Sequence, residues 1–385
     1  MTPTPLPSPP AGASRLEAWQ RRLTRLAASA RPWRWLWPPV AFAAGVASFF
    51  LVERQQWLGA TLALGMLVTW LLLLSESLIT RWLTRRGYPA LPRGITTFLA
   101  QLVHQETLFF TLPFLLATTV WTSGQALFTT LVLGLALLSI LDPLYYRLAE
   151  RHRWLYFAFH AQCVFLVTLV ALPTLLHLTT GQSLVIALGA MTAFSLPSLM
   201  QLLRPLSRGR WLAMLALLPV LAGAGWLGRA WVPPASLWLS GRALAPAVDE
   251  QARAPEGGLR LTPEALRRRG LYAFTAIHAP RGLKEEIVHE WRHQGRLVDR
   301  IPLTIQGGRQ AGYRAWSHKR RFPDRPAGDW RVDVMTSGGQ RIGVLRFRVS
   351  EDPELATLAD GRTQAPPGVP GLDPRGLVAR PAPGP

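Results

Sequence analysis

Five ionisable side chains stand inside long apolar stretches of this 385-residue chain: Glu76, His104, Glu106, Asp142 and His160. Charged or titratable groups are costly away from water, so each is a candidate for chemistry. At a rise of 1.5 Å per residue, Glu76 and Asp142 fall about 7 Å, His160 about 10 Å, and His104 and Glu106 about 15–18 Å from the arginines flanking their stretches. Helical spacing puts Gln101, His104 and Gln105 on one face, and Tyr156, His160 and Cys163 on another. Glu106 points nearly opposite His104. Three chemistries fit these groups. They can bind a transition metal, or clamp a haem between two histidines. They can relay protons or line a substrate path. They can also do no more than cross-link helices by hydrogen bonds. No cofactor is expected, and metal or haem at His104 and His160 is kept as the alternative. Cys163 is the single cysteine, and neither HExxH nor CxxCH occurs, so disulfides and the familiar metal and redox spacings are excluded.

The stretches that carry these residues read as seven membrane-spanning helices over 35–53, 57–80, 95–121, 125–146, 154–176, 183–203 and 211–231. Each is near the roughly 20 residues needed to cross a bilayer. Only 17% of the residues are charged, against about a quarter in a soluble globular chain. No cleavable leader is expected, because the first apolar run begins only near Trp35 and continues into further spans.

Charge orients the spans. Six arginines precede the first, and the alternate loops carry Arg81, Arg85, Arg86 and Arg93, then Arg147, Arg151 and Arg153, then Arg204, Arg208 and Arg210. The opposite loops hold Arg54 alone, offset by Glu53. Sixteen against one predicts a cytoplasmic amino terminus. Seven crossings then set everything after residue 231 outside the cytoplasm. The expected location is a bacterial inner membrane, with the carboxyl-terminal part periplasmic. Nucleic acid is excluded as a partner on that ground, although the net charge is +20.

Two of the uncharged loops resemble each other. Thr122-Ser123-Gly124-Gln125-Ala126-Leu127 recurs, conservatively changed, as Thr179-Thr180-Gly181-Gln182-Ser183-Leu184, and the same offset maps Arg147 onto Arg204. Either two helical hairpins are duplicated, or Gly-Gln merely makes a good short turn. Pro113, Pro173, Pro197 and Pro219 fall within spans, where they kink helices and free carbonyls.

Near residue 230 the chain changes character. A Pro/Ala/Gly-rich linker over 232–258, with Trp238 as an interface anchor, leads to a segment with strand-like alternation over 259–350. Thr262 and Pro263 can open a short helix. Strands are expected at Leu271–Ile277, at Glu286–Arg292 and Arg296–Ile305 joined through Gln294-Gly295, at Tyr313–His318, and at a pair turning through Gly338-Gly339. Ile287, His289 and Trp291 share a face. The expected fold class is therefore an α-helical membrane bundle followed by a small all-β, Ig-like antiparallel sandwich. Trp291, Trp316 and Trp330 are expected in its core. Residues 1–34 and the Pro-rich tail 351–385 are expected to be disordered.

The phrases His289-Glu290-Trp291-Arg292-His293-Gln294-Gly295, Tyr313-Arg314-Ala315-Trp316-Ser317-His318-Lys319 and Gly328-Asp329-Trp330-Arg331-Val332-Asp333-Val334 resemble the module called domain of unknown function 2914. His104-Gln105-Glu106 and Leu112-Pro113-Phe114 are similar to the membrane part found with it in uncharacterised bacterial proteins. The resemblance implies architecture and transfers no catalytic residue. The module is basic, with 19 Arg and Lys against 8 Asp and Glu over 259–350. Arg267, Arg268 and Arg269, and Lys319, Arg320 and Arg321, are its densest clusters. Besides the lipid bilayer, the partners this charge suits are an anionic lipid headgroup, an acidic envelope polymer or an envelope protein. No nucleophile motif or phosphate loop marks an enzyme. An adaptor or sensor, a transporter or proton-coupled protein, and a metal- or haem-dependent membrane enzyme stay open, in that order.

Overall fold

The computed structural model describes residues 93–204, 207–309 and 311–366, with a few isolated positions before them. The basic segment 1–34, the first two expected spans with Glu76, and the tail after Pro366 lie outside the described residues. A helical region comes first: α1 (Arg93–Thr118), α2 (Gln125–Ile140), α3 (Asp142–Arg151), α4 (Arg153–Leu175), α5 (Thr180–Phe194), α6 (Leu196–Leu203) and α7 (Arg208–Leu227), which ends in a 3-10 turn, Gly228–Trp231.

Three stretches, 153–175, 180–203 and 208–231, are helices long and apolar enough to cross a membrane. A fourth is reached only if α2 and α3 count as one span bent by 93°. The expected seven is therefore not reproduced among the described residues. Two causes are visible. The expected span 125–146 runs through Asp142-Pro143, where proline cannot continue a helix and instead opens a new one. In α1, which is long enough at 26 residues, Gln101, His104, Gln105 and Glu106 dilute the apolar run. The polarity has a structural reason, since α1 and α4 form the centre of the region. Leu108, Leu115, Leu166 and Val170 are fully buried there. Helix α7 is the opposite case: Met214 is its single buried residue, while Leu212 is 67% and Leu227 79% exposed. An apolar helix so uncovered is stable only in an apolar surrounding.

The second half is a two-sheet sandwich. One sheet has the order β1 (Trp238–Ala245), β5 (Leu271–His278), β8 (Tyr313–Lys319). The other runs β10 (Arg341–Val349), β9 (Gly328–Thr336), β6 (Lys284–His293), β7 (Arg296–Gln306), and all pairings are antiparallel. Small pairs flank them: β2 (Ala247–Asp249) with β3 (Ala254–Glu256), and β4 (Leu259–Arg260) with β11 (Leu358–Ala359). Helix α8 (Pro263–Arg269) is capped by Thr262, whose Oγ1 accepts from Ala265 N–H. The β6–β7 hairpin turns where expected, with positive φ at both Gln294 and Gly295, the geometry that matches strand twist. Pro302 is tolerated in β7 because that strand lies at a sheet edge.

The module begins and ends outside the expected 259–350. Trp238–Ala245, placed in the linker from sequence, is strand β1, and Trp238 stacks on His278 at 3.9 Å between ring centres. Leu358–Ala359 pairs with β4 and Gln364 bridges to Arg242, so residues 351–366 belong to the fold. Trp291 and Trp330 are in the core as expected. Trp316 is not. In β8 the inward positions are Ala315, Ser317 and Lys319, which turns Trp316 outward against Phe274 and under the Arg253 guanidinium, 5.5 Å away. Lys319 is likewise withdrawn from the expected basic surface: it is 4% exposed and paired to Asp299 at 3.0 Å. His289 joins the sheets, with Nδ1 at 2.9 Å from Ser317 Oγ and Nε2 at 3.2 Å from Thr275 Oγ1. Burial takes its pKa down to about 3, so it is a neutral core residue.

Because β1 and β5 supply two strands of a three-stranded sheet, residues 284–349 alone lack most of one layer. A soluble fragment 232–366 is expected to melt cooperatively, whereas 259–350 and 284–349 are expected to show no cooperative transition. Circular dichroism during heating decides this, and a stably folded 284–349 would contradict the sheet assignment.

Candidate functional site

Two polar assemblies stand out, one inside the helical region and one where it meets the sandwich. The first starts on α1. Gln101, His104 and Gln105 share a face as the spacing requires, and all three are buried. The side-chain amides of Gln101 and Gln105 donate to the Ser139 carbonyl at 2.9 and 2.6 Å, which holds the end of α2. Gln101 also donates to Asp142 Oδ1 at 2.9 Å, so Asp142 opens α3 in contact with α1. The bend at Leu141 aims α3 back so that Tyr145, fully buried, reaches His104 Nδ1 at 2.7 Å. From α4, His160 brings its Nδ1 to 2.7 Å from His104 Nε2. Three helices thus meet in one chain of hydrogen bonds, Tyr145–His104–His160. Tyr156, Phe159 and Phe194 wall it in, and buried Cys163 continues the His160 face. Glu106, half-buried on another side of α1, takes no part.

The chain has two consistent proton arrangements. In one, the Tyr145 O–H donates to His104, and His104 Nε2–H donates to His160. In the other, both bonds reverse, with His160 Nδ1–H donating first. Each neutral imidazole donates at one nitrogen and accepts at the other in either state. Such a chain can pass a proton. It does not fit a metal held by both rings. An ion with bonds of about 2.0–2.1 Å keeps its ligand nitrogens roughly 3.3 Å apart at a tetrahedral angle, and these are 2.7 Å apart. At the same distance the two nitrogens, as they stand, leave no space for a haem iron between them. Among the described residues no group of three or more His, Cys, Asp and Glu is placed to hold an ion.

The second assembly is the seam. The two similar loops both meet the sandwich. In the first, the Gln125 side chain accepts from Val120 N–H and donates to the Arg341 carbonyl of edge strand β10 at 2.8 Å. In the second, Thr179 and Gln182 form a capping box at the start of α5, and Thr180 N–H donates to Glu285 Oε2 at 2.8 Å. Gly181 lies against Gly338, with no room for a side chain between them. The end of α7 makes the third contact: Gln340 donates to the carbonyls of Val232 and Pro233. The sandwich therefore sits on the two connections that carry no charge and on the end of α7, where Arg229 lies against Gly339, and the arginine-rich connections lie at the far end.

Glu285 is 2% exposed, and nothing in the sequence marked it. Burial pushes its carboxyl up to about 7, aided by Glu286 and opposed by the Thr180 bonds. Asp333, at 1% exposure, was also missed; Arg292, Arg331 and Arg341 surround it at 3.2, 3.2 and 3.6 Å. Of the basic residues expected on the surface, Arg267, Arg268, Arg269, Arg320 and Arg321 are exposed. Arg268 is paired with Glu264 one turn away.

The raised Glu285 pKa has a definite sign. The seam favours the protonated acid over a free carboxyl of 4.5, so this contribution is fully present below about 4.5 and fades as pH rises through about 7. Thermal unfolding of the detergent-solubilised chain is expected to fall by several degrees from pH 5 to pH 8. Glu285→Gln, which keeps an acceptor for Thr180, is expected to flatten that slope. An unchanged slope in the variant would remove Glu285 as its source.

Residues 16–273 match a family of unknown function (DUF5924), and residues 284–349 match a protein of unknown function (DUF2914). The first match runs past the helices into β5 and the second spans β6 to β10, so the border between them falls inside the sandwich. No curated protein and no solved structure matches the chain. With the first match covering well over half of its length, the chain belongs to the DUF5924 family and carries a carboxyl-terminal DUF2914 module.

Proposed function

We propose that this is a seven-span protein of a bacterial inner membrane, with a cytoplasmic amino terminus and an Ig-like sandwich outside. There the sandwich holds a phosphate-bearing component of the envelope and acts as an adaptor or sensor. The observation that carries the reading is the seam. The sandwich is fastened at three points to helix ends that carry Arg229 as their basic residue, while arginines crowd the opposite connections, the polarity that the positive-inside rule associates with the cytoplasmic face. The exposed apolar surface of α7 supports a bilayer around the helices. The excess of arginine on the sandwich supports an anionic ligand, and outside the cytoplasm phosphate-bearing lipids and polymers are the abundant anions. Among the described residues no nucleophile with a base beside an open cleft supports catalysis by the module: the buried His–Ser contact found there, His289 with Ser317, is sealed in the core.

The full chain in phosphatidylcholine nanodiscs is expected to bind either polyglycerol phosphate or a short-chain phosphatidylglycerol, and to bind it more weakly as salt rises from about 50 to 300 mM. Binding to neither would sink the reading.

The Tyr145–His104–His160 chain favours a second reading, a proton-coupled activity of the helical region. In proteoliposomes carrying a pH-sensitive dye, such a protein moves protons down an imposed gradient, and His160→Phe abolishes the flux while leaving the melting curve cooperative. A wild-type flux equal to that of empty vesicles would dismiss it.

A further inference from the structure

A cleft of about 440 Å³ opens where edge strands β1 and β10 run side by side and the α1–α2 connection rises beneath them. Its wall is largely apolar, including Val120, Leu244 and Leu358. Three arginines line it, Arg242, Arg346 and Arg362, together with the acidic residue Asp360. Asp360 is engaged locally, accepting from Arg362 N–H at 3.0 Å. Arg242 reaches across from β1 to donate to the Val344 carbonyl of β10. Burial lowers the Arg242 pKa, and the positive charge of Arg346 adds to that in smaller measure. The indole N–H of Trp121, buried in the same wall, has no acceptor among the described residues.

Three cations against one carboxylate, beside hydrocarbon, suit a ligand that is anionic at one end and apolar at the other. The position of the cleft fits such a molecule. Trp121 stands in its wall, and the Trp231 ring lies against Gly124 in the same connection, 57% exposed. Tryptophans at such a level mark the headgroup zone of a bilayer.

Resting on the orientation proposed above, we propose that this cleft binds an anionic phospholipid from the outer leaflet of the membrane that the helices cross. Arg242 and Arg346 hold the phosphate, and the glycerol and upper acyl chain lie along Val120 and Leu358. Arg242 already links the two sheet edges, so the lipid phosphate docks on the tie between them.

The test uses the delipidated full chain in detergent. Its probes are dihexanoyl phosphatidylglycerol, dihexanoyl phosphatidylcholine, inorganic phosphate and polyglycerol phosphate. The wild type is expected to prefer phosphatidylglycerol over phosphatidylcholine and inorganic phosphate by about tenfold or more. Arg242→Gln with Arg346→Gln is expected to erase that preference, and Arg267→Gln with Arg268→Gln and Arg320→Gln to retain it. Should the cleft variant lose its cooperative melt, Arg346→Gln alone serves, since that side chain is exposed, with a partial loss expected. A preference kept in the cleft variant but lost in the other would overturn the cleft and leave the envelope-binding reading standing. Binding of the polymer but not the lipid would do the same. Inorganic phosphate binding as tightly as the lipid would overturn the lipid as occupant. No binding of any anion by the wild type would overturn both.

Discussion

The joint between helices and sheets rests on one requirement: a helix end covered by protein must still find partners for its backbone N–H and C=O groups. At the end of the helical region that faces the sheets those partners come from the sandwich and its approaches. Glu285 accepts from the first turn of α5, Gln125 gives its amide to an edge carbonyl of β10, and Gln340 covers two carbonyls just past α7. The Gln125 bond also protects edge strand β10 at the Arg341 carbonyl, and Arg242 of β1 covers its Val344 carbonyl, so neither is left to invite another strand. One set of contacts therefore finishes the helices, blunts a sheet edge and fixes the sandwich over the helix ends. The close approach of Gly181 to Gly338 shows how tightly the two halves are drawn together.

Inside the helical region the same demand is met by side chains alone. A proline-led bend leaves Ser139 O unsatisfied within its helix, and two glutamines of α1 supply donors. The bend also delivers Tyr145 to His104. The polar residues that weaken α1 as an apolar helix are thus the ones that organise its neighbours. The histidines, whatever else they carry out, lock α1, α3 and α4 into one register.

Much of the sandwich was legible in the sequence, because alternation and Gly-containing turns depend on near neighbours. The β6–β7 turn and the buried face of Ile287, His289 and Trp291 follow from that pattern alone. Strand β1 was hidden because a bulge between Leu239 and Gly241 breaks its alternation: Leu239 and Leu244 pack into the core between the sheets, whereas small Ala243 joins Phe274 and Trp316 on the opposite face. Trp316 and Lys319 misled for a related reason. The inward phase of β8 is set by small Ala315 and Ser317, and the lysine finds Asp299 on another strand. Long-range partners of this kind leave no local trace. His104 and Gln101 could be singled out as polar residues among apolar ones. That His104 would meet His160 and Tyr145 depends on helix rotation and on a bend that the hydropathy pattern runs straight through. Glu285 looked like one charge in a charged strand, and only the docking of α5 makes it a buried acid.

The pairing of Arg242 with Gln364 has a consequence for how the chain comes to be folded. The first strand of the sandwich to be synthesised is covered along its outer edge by almost the last described residues. Until they arrive, β1 has one bare side, and the sheet it belongs to waits for β8 to supply its far member. The module is therefore a fold of high contact order, slow to close and open to mispairing while it waits. Its carboxyl-terminal segment serves as the clasp, and a nonsense mutation just before it would release a nearly complete domain with an adhesive edge.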